Sequence, residues 1–453
     1  MQGRIDLQEL KRLVANDEID TILVVFPDMY GRLIGKRIVA RFFLEESEIH
    51  ACDYLLACDM DMDPVPGYQF TSWAKGYGDF RPVPDFNTLR VASWLEKTAL
   101  VLCDVHQEES DELVPYAPRG ILRKQLARAA ERGYTAMGAS ELELYVFKDS
   151  YEEIARKGFI NAEPIGRLIE DYHIFQGTKE EHVIGAIRRH LERSGIPVES
   201  SKGEWGPGQQ EIGLRYAELL EMADRHSIYK HAAKEIAWQL GHAVTFMAKW
   251  DERYAGSSCH IHMSLWKGDK PLFKGDENLG PIKCSPIFRW FLGGWMAHIR
   301  ELFPFYAPYP SSYKRYVPGS FAPTGIAWSY DNRTAGFRIV GHGSSLRIEC
   351  RTAGADANPY LAFAATLAAG LDGIEKQIEP PPAFEGDVYG ALELPQVPHF
   401  LREAIDELDR SQFAREAFGE DVIEHYLHFF RTEQRKFDAV ITDWERRRYF
   451  EQA

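Results

Sequence analysis

The chain has 453 residues, 45% of them hydrophobic, which is enough for a large core and for two domains. Its formal net charge of −15, without a compensating basic tract, argues against a nucleic-acid-binding protein. The start of the sequence lacks the apolar run of a signal peptide, and the longest small-apolar run, near 362–371, is too short to span a bilayer. We therefore expect a soluble cytoplasmic protein without a membrane partner.

The first hundred residues predict a small mixed unit. An amphipathic helix over 7–16 precedes an apolar strand over 21–26, which pairs with 32–39 across a turn. Residues 49–90 are rich in Asp, Pro, Gly and Tyr and lack periodicity, which is often the mark of a functional segment. Another strand covers 99–103. The charged, proline-containing stretch 106–118 then predicts a domain boundary, which we place after residue 110.

Residues 111–453 alternate helices with strands and form the predicted second domain. Helices are predicted over 121–131, 183–193, 228–240 and 359–375, and the charged tail 400–450 is also helical. Strands are predicted over 141–146, from 196, over 243–249, and around His260, Arg338 and Arg347.

Three of these strands carry charged or polar side chains on one face and apolar ones on the other. Side chains alternate along a strand with period two, so each polar set points in one direction. Like charges inside a fold are costly unless something neutralises them, and divalent metals and phosphate are the groups that would do so. The three sets are Glu141 with Glu143, His260 with His262 and Ser264, and Arg347 with Glu349 and Arg351.

The acidic residues and histidines predict a metal site. Glu204 and Glu211 bracket a glycine-containing loop that can bring them to the Glu143 carboxylate, while His260 and Glu349 complete a second site. Hard oxygen ligands with one imidazole suit Mg²⁺ or Mn²⁺ better than Zn²⁺, and the six cysteines form no C-x-x-C pair. The alternative for each motif alone is a solvated strand face or structural histidines.

Five arginines fall within a short part of the chain and predict a phosphate or carboxylate site. For any one of them the alternative is a surface ion pair. The sequence contains no G-x-x-x-x-G-K-[ST] loop, no G-x-G-x-x-G opening a helix and no G-x-S-x-G elbow, so a nucleotide here would be held by metals and arginines. The five are Arg315, Arg333, Arg338, Arg347 and Arg351.

These motifs, in their order, resemble glutamine synthetases of the bacterial type I branch over nearly the whole chain. The matching segments include Ser140 to Glu143, Gly208 to Glu211, Ser258 to Ser264, Ser312 to Gly319, Arg347 to Arg351 and Ala357 to Tyr360. The resemblance implies an α+β fold with a small N-terminal β-grasp domain, 1–110, and a catalytic domain, 111–453, with a curved antiparallel sheet. It also implies a homo-oligomer, a dodecamer of two hexameric rings whose active sites lie between subunits.

By the same resemblance, each site binds ATP and two or three Mg²⁺ or Mn²⁺ ions. One ion is held by Glu143, Glu204 and Glu211, and another by Glu141, His260 and Glu349. The implied nucleotide contacts are His262, Ser264, Arg338, Arg347 and Tyr216. Glutamate is held by Arg315, Arg351 and the backbone of Gly256, and Arg333 meets the transferred phosphate. The implied reaction forms γ-glutamyl phosphate, from which an amine displaces phosphate.

Two departures from the family pattern point to an organic amine as the acceptor. Phe321 stands where glutamine synthetases carry a glutamate in the flap, and no residue aligns with the aspartate that binds ammonium in the N-terminal domain. Ammonium is small and strongly hydrated, so it needs oxygen ligands, whereas a phenyl ring favours a partly apolar amine. The sequence is therefore most similar to the γ-glutamyl-amine ligases, which use polyamines, ethanolamine or alkylamines. The candidate carboxylates for the amine proton are Asp53, Asp59, Asp61 and Asp63.

Three alternatives remain at this point. The chain could be a genuine glutamine synthetase with a rebuilt ammonium site, a non-catalytic ring-forming scaffold, or an enzyme with the general design of the phosphagen kinases. The intact metal and arginine sets disfavour the scaffold, and the Asn358-Pro359-Tyr360 segment disfavours the kinase. Tyr389 lies near a position that is adenylylated in some type I enzymes, but its neighbours differ and we expect no such regulation.

Overall fold

The computed structural model describes residues 3–45 and 48–453. Its helices are α1 Leu7–Ala15, α2 Ala40–Glu45, α3 Pro118–Glu131, α4 Tyr151–Arg156, α5 Ile174–Thr178, α6 Glu181–Arg193, α7 Leu219–Gln239, α8 Pro286–His298, α9 Pro359–Lys376, α10 Leu401–Arg410, α11 Gln412–Phe418, α12 Glu420–Asp438 and α13 Asp443–Tyr449. Its strands are β1 Thr21–Pro27, β2 Leu33–Val39, β3 Ala51–Cys52, β4 Asp79–Pro84, β5 Arg90–Val91, β6 Thr98–Gln107, β7 Thr135–Phe147, β8 Val198–Gly203, β9 Gln209–Leu214, β10 Ala217–Glu218, β11 Ala243–Thr245, β12 Cys259–Lys267, β13 Lys270–Pro271, β14 Glu277–Leu279, β15 Ile282–Cys284, β16 Trp328–Tyr330, β17 Phe337–Val340 and β18 Arg347–Cys350.

The N-terminal part forms a sheet with the strand order β2-β1-β6-β4-β3, and β5 also pairs with β6. The predicted hairpin is confirmed, because β1 and β2 pair antiparallel along their whole length. The Asp28 carboxylate fixes the turn by accepting hydrogen bonds from the backbone N–H groups of Tyr30 and Arg32, each at 2.9 Å. Strand β6 then pairs parallel to β1, and its buried face joins an apolar core beneath α1.

The stretch 49–90 is less irregular than its composition indicated. It contains β4, which pairs antiparallel with β6 although it carries Pro82 and Pro84. Proline has no N–H to donate to a neighbouring strand, so the sequence of β4, with its two prolines, does not predict a strand. It is tolerated here because its outer neighbour is only the two-residue edge strand β3.

The larger sheet has the strand order β16-β17-β18-β12-β7-β9-β8, with β10 and β11 also paired to β7 and β13 to β12. Its pairs are antiparallel except for β16 and β17, which run parallel. Helices α7 and α9 pack on each other, and α7 packs on β7. The α+β class with a curved, mainly antiparallel sheet and surrounding helices is confirmed.

Helix α7 begins at Leu219, nine residues before the predicted start at 228. Its first turns carry polar residues that the sequence alone assigns to a loop. Two of them are buried with partners: Asp224 binds Arg119 at 2.9 Å, and His226 Nδ1 lies 3.0 Å from the Ser140 hydroxyl. Burial of polar groups is acceptable when each has a partner, which only the folded chain supplies.

The strands of the two sheets come from two successive parts of the chain. The first sheet ends at Gln107 and the second begins at Thr135, with α3 between them. The domain boundary after residue 110 stays a prediction. Among the described helices, none combines the length and apolarity that crossing a membrane requires.

Candidate functional site

The three motif strands are neighbours in the larger sheet, which brings their polar faces together. Strand β12 lies between β7 and β18, with His260 opposite Glu141 and His262 opposite Glu349. Opposite residues share a face of the sheet, so the polar sets predicted separately form one surface. A cavity of about 920 Å³ opens over it and is lined by residues from β7, β8, β9 and β12.

The first predicted metal set is brought together. Glu143, Glu204 and Glu211 place carboxylate oxygens within 4.8 Å of one another. The Glu143 carboxylate is oriented by the backbone N–H of Ser258 at 2.8 Å and by the side-chain amide of Gln209 at 3.1 Å. These donors keep the Glu143 carboxylate in place beside those of Glu204 and Glu211.

The second predicted set lies beside the first, but its members group differently. His260 Nδ1 is 3.0 Å from a Glu141 oxygen and 3.5 Å from a Glu349 oxygen. His262 Nε2 is 2.9 Å from the other Glu141 oxygen, so this histidine, predicted to contact the nucleotide, joins the acidic group. The compact trios are Glu141 with Glu211 and His260, and Glu141 with His262 and Glu349.

The electrostatics of this surface fit divalent cations. Burial and the charges of Glu141, Glu204 and Glu143 raise the pKa of Glu211 to about 9, and burial and Glu143 raise the pKa of Glu204 to about 7. Burial opposes ionisation of Glu141 as well, but hydrogen bonds from His260 and His262 outweigh it and hold its pKa below the usual value. Carboxylates that repel one another in this way, with histidines beside them, are the donor set that hard divalent cations require.

The raised pKa of Glu211 leads to the first testable prediction. A divalent ion that binds the Glu211 carboxylate must displace the proton that this carboxyl group retains near neutral pH. We expect Mg²⁺ to raise the melting temperature more at pH 8 than at pH 6.5, since the Glu211 pKa is about 9 and protons compete less as pH rises. Without metal, a Glu211 pKa above its unfolded value makes this group's contribution to stability fall with rising pH. Thermal unfolding with EDTA or with Mg²⁺ measures both effects.

The matched control is Glu211→Gln, which removes the titrating carboxyl without changing side-chain size. It should lose the part of the Mg²⁺-dependent gain that comes from the ions bound by Glu211, and with it the dependence on pH that the Glu211 proton causes. A gain in melting temperature that is the same at both pH values would contradict a metal site containing Glu211.

The predicted arginines take different positions. Arg338 Nη1 is 2.9 Å from a Glu349 oxygen, and Arg351 binds the other oxygen of the same carboxylate. Arg315 is buried and donates to the backbone carbonyls of Thr352 at 3.0 Å and Arg351 at 3.1 Å. Arg333 is exposed. All four line the cavity, so they present guanidinium groups beside the acidic surface.

A smaller cavity of about 280 Å³ adjoins the first and is lined by His262, Arg338, Arg347 and Glu141. Arg347 Nε lies 3.2 Å from His262 Nδ1. Three predicted nucleotide contacts therefore meet there. The other two do not line either cavity: the Ser264 hydroxyl accepts a hydrogen bond from the Trp266 indole, and Tyr216 is exposed.

An aromatic pair stands at one side of the larger cavity. Phe321 has a left-handed backbone conformation with φ of +62°, and its ring lies 5.1 Å from that of Trp205. Both rings are about half exposed, and both line the cavity. Gly256 lines it too, and there a Cβ would lie 2.6 Å from the Ala248 carbonyl oxygen. Trp205 was not predicted as a site residue, although a large aromatic directly after the metal candidate Glu204 was the available signal.

The N-terminal aspartates are not among the residues that line the cavity of their own chain. Asp59 is buried, accepts hydrogen bonds from the backbone N–H groups of Asp61 and Asp63, and forms an ion pair with Lys436. Asp53 accepts a hydrogen bond from Thr71. None of the four lines the cavity. The Tyr389 hydroxyl is buried.

Comparisons with known proteins agree on one family. Residues 115–449 match the family model described as glutamine synthetase, catalytic domain. A gamma-glutamylethanolamide synthetase of Streptomyces coelicolor is 46% identical over 99% of this chain and 96% of its own length. A glutamate–isopropylamine ligase of a Pseudomonas species is 33% identical over 99% of both chains, and a glutamine synthetase of Thermotoga maritima is 32% identical over 98% of this chain and 99% of its own. A solved structure described as a GmaS/ADP complex superimposes with a TM-score of 0.84 at 29% identity, covering 97% of this chain and 99% of that one.

Proposed function

This chain belongs to the glutamine synthetase family, and from that premise we propose that it is an ATP-dependent ligase joining the γ-carboxylate of glutamate to an organic amine. Two relatives named for amine ligation, which it matches over almost their whole length, support an acceptor other than ammonia. The observation in the structure that carries the proposal is the Trp205–Phe321 pair, which puts apolar surface beside the acidic cluster.

The reaction has two steps. An oxygen of the glutamate γ-carboxylate attacks the γ-phosphorus of ATP and breaks its bond to ADP, giving γ-glutamyl phosphate. The acceptor ammonium first gives one proton to a carboxylate base or to water. The free amine nitrogen then attacks the carbonyl carbon, phosphate leaves with the C–O bonding electrons, and the nitrogen gives up its second proton to water. Phosphoryl transfer depends on positioning and on neutralising charge, which the arginines of the cavity provide.

The residues take the following roles in this proposal. Glu141, Glu143, Glu204, Glu211, His260 and Glu349 hold divalent ions, which when bound shield the phosphate oxygens from the attacking carboxylate. Arg315, Arg351 and the Gly256 backbone hold glutamate, and Arg333 neutralises the transferred phosphate. His262, Ser264, Arg338, Arg347 and Tyr216 contact the nucleotide, and Phe321 borders the acceptor.

The proposal also covers the bound metal ions, the oligomeric state, the domain division and the cellular location of the protein. Two or three Mg²⁺ or Mn²⁺ ions per site, a dodecamer of two hexameric rings, and a division into domains 1–110 and 111–453 follow from the family resemblance. None of Asp53, Asp59, Asp61 and Asp63 lines the cavity of its own chain, which is compatible with a site shared between subunits. A cytoplasmic location is compatible with six free cysteines.

Phosphate release tests the proposed activity. Purified protein receives ATP, Mg²⁺ and glutamate with ammonium or one of a panel of amines, headed by ethanolamine because the Streptomyces coelicolor relative is named for it. We expect kcat/KM for the best amine to exceed that for ammonium by about tenfold or more, because a site with an apolar wall favours apolar substituents. Mass spectrometry identifies the amide, and omission of glutamate is the control.

The rival functions give other outcomes. Ammonium used as efficiently as every amine would indicate a genuine glutamine synthetase. No phosphate release with any acceptor would favour the ring-forming scaffold.

A further inference from the structure

The acceptor end of the cavity needs a negative charge that neither the aromatic pair nor the N-terminal domain of the same chain provides. Primary alkylamines have pKa values of about 10, like lysine, so they reach the site as cations. Phe321 offers only a ring, and Asp59 is already bound to Lys436 and to backbone N–H groups.

Two carboxylates line the cavity in addition to the metal set, Asp171 and Glu181. Glu181 forms an ion pair with Arg188. Asp171 has no ion-pair partner within residues 3–45 and 48–453, and it is an exposed residue that lines the cavity. Its backbone N–H donates to the Glu204 carbonyl oxygen at 3.0 Å, which fixes Asp171 next to the loop that carries Trp205. Asp171 therefore shares the cavity with the aromatic pair and, among the described residues, has no cationic partner there.

The ring of Tyr172, the residue after Asp171, already contacts the ammonium group of a lysine. Lys202 Nζ lies 4.3 Å from the centre of the Tyr172 ring and forms an ion pair with Glu204. An aromatic face and a carboxylate together stabilise a cation of this kind. Among the described residues, Lys202 forms its ion pair with Glu204 and none with Asp171.

We infer that Asp171 binds the ammonium group of the acceptor amine, whose carbon chain then lies against Trp205 and Phe321. This inference rests on the proposed function and names the subsite that receives the acceptor. It makes Asp171 a determinant of which acceptors bind, because an uncharged acceptor gains nothing from it. Sequence reasoning did not single out Asp171, since its loop is far in sequence from Phe321.

The Asp171→Asn variant tests the inference with two acceptors of different charge. For ethanolamine, which is cationic near neutral pH, KM should rise about ten- to hundredfold, as expected for loss of a charged hydrogen bond. For hydroxylamine, which is mostly uncharged there, KM should change by less than about threefold. The KM values for glutamate and ATP should be unaffected. Asp171→Glu keeps the charge and should restore most of the ethanolamine affinity.

Glu181→Gln is the matched control, because it neutralises a carboxylate of the same cavity that is already paired. It should leave the ratio of ethanolamine to hydroxylamine KM values unchanged. An unchanged ethanolamine KM in Asp171→Asn, or an equal rise for hydroxylamine, overturns the role of Asp171 alone. Wild-type protein that uses ammonium but no organic amine overturns the proposed function as well, so the two failures are distinguishable.

Discussion

Replacing Glu143 by alanine is expected to abolish turnover, lowering kcat by about a thousandfold or more. The Glu143 carboxylate is within 4.8 Å of those of Glu204 and Glu211, and Ser258 and Gln209 hold it in place. Its loss removes one ligand from a proposed divalent site whose charge the phosphoryl transfer needs. Phosphate release measures kcat, and calorimetric titration with Mn²⁺ measures the accompanying loss of metal affinity.

Glu375→Ala is a suitable control for this variant. Glu375 forms a surface ion pair with Arg132 at 2.9 Å and is more than half exposed, so its removal should leave kcat and metal affinity unchanged. Activity of the Glu143→Ala variant within about tenfold of the wild type would refute the metal assignment, because Glu143 is one of only three carboxylates in that group. Circular dichroism of both variants verifies that each is folded.

Replacing Phe321 by glutamate is expected to reverse the acceptor preference. The ring faces Trp205 in the cavity, so a carboxylate at this position would supply an oxygen ligand for ammonium and remove apolar surface from the amine. We expect kcat/KM for ammonium to rise about tenfold and that for the best organic amine to fall about tenfold. The ratio of the two values, measured by phosphate release, reports the change.

The Phe321→Leu variant separates the effect of adding a carboxylate from the effect of losing the aromatic ring. Leucine shares the left-handed strain that any side chain meets at a φ of +62°, but it adds no oxygen. This variant should lose part of the amine activity without gaining activity with ammonium. An unchanged preference in Phe321→Glu would show that position 321 does not border the acceptor.

Much of the candidate site could be predicted from the sequence because strand geometry is local. The alternation in Glu141 to Val146, in Cys259 to Ser264 and in Leu346 to Arg351 requires that each polar set share a face. The structure places these strands side by side, and the predicted carboxylates and histidines meet. The helix over 183–193 and the hairpin of the N-terminal sheet were predictable for the same reason, since both depend on residues close in sequence.

Other features depend on contacts between distant segments. The early start of α7 is stabilised by Arg119, 105 residues away from Asp224 in the sequence. The grouping of His262 with Glu141, rather than with the nucleotide contacts alone, follows from the register of β12 against β7. Local polarity was a poor guide in each case, because a buried polar residue is stable only with a partner that the fold supplies.

The sequence by itself determined the α+β class, the family motifs, the three polar strand faces and the replacement of the flap carboxylate by Phe321, since each is a property of short segments. Only the tertiary structure decided that Phe321 contacts Trp205, that Glu349 is held by Arg338 and Arg351, and that Asp171 lines the same cavity without an ion-pair partner in the described part of the chain. The physical reason is that loops have no periodicity that relates a residue to its direction. Their side chains acquire neighbours only when the sheets and helices that anchor them have packed.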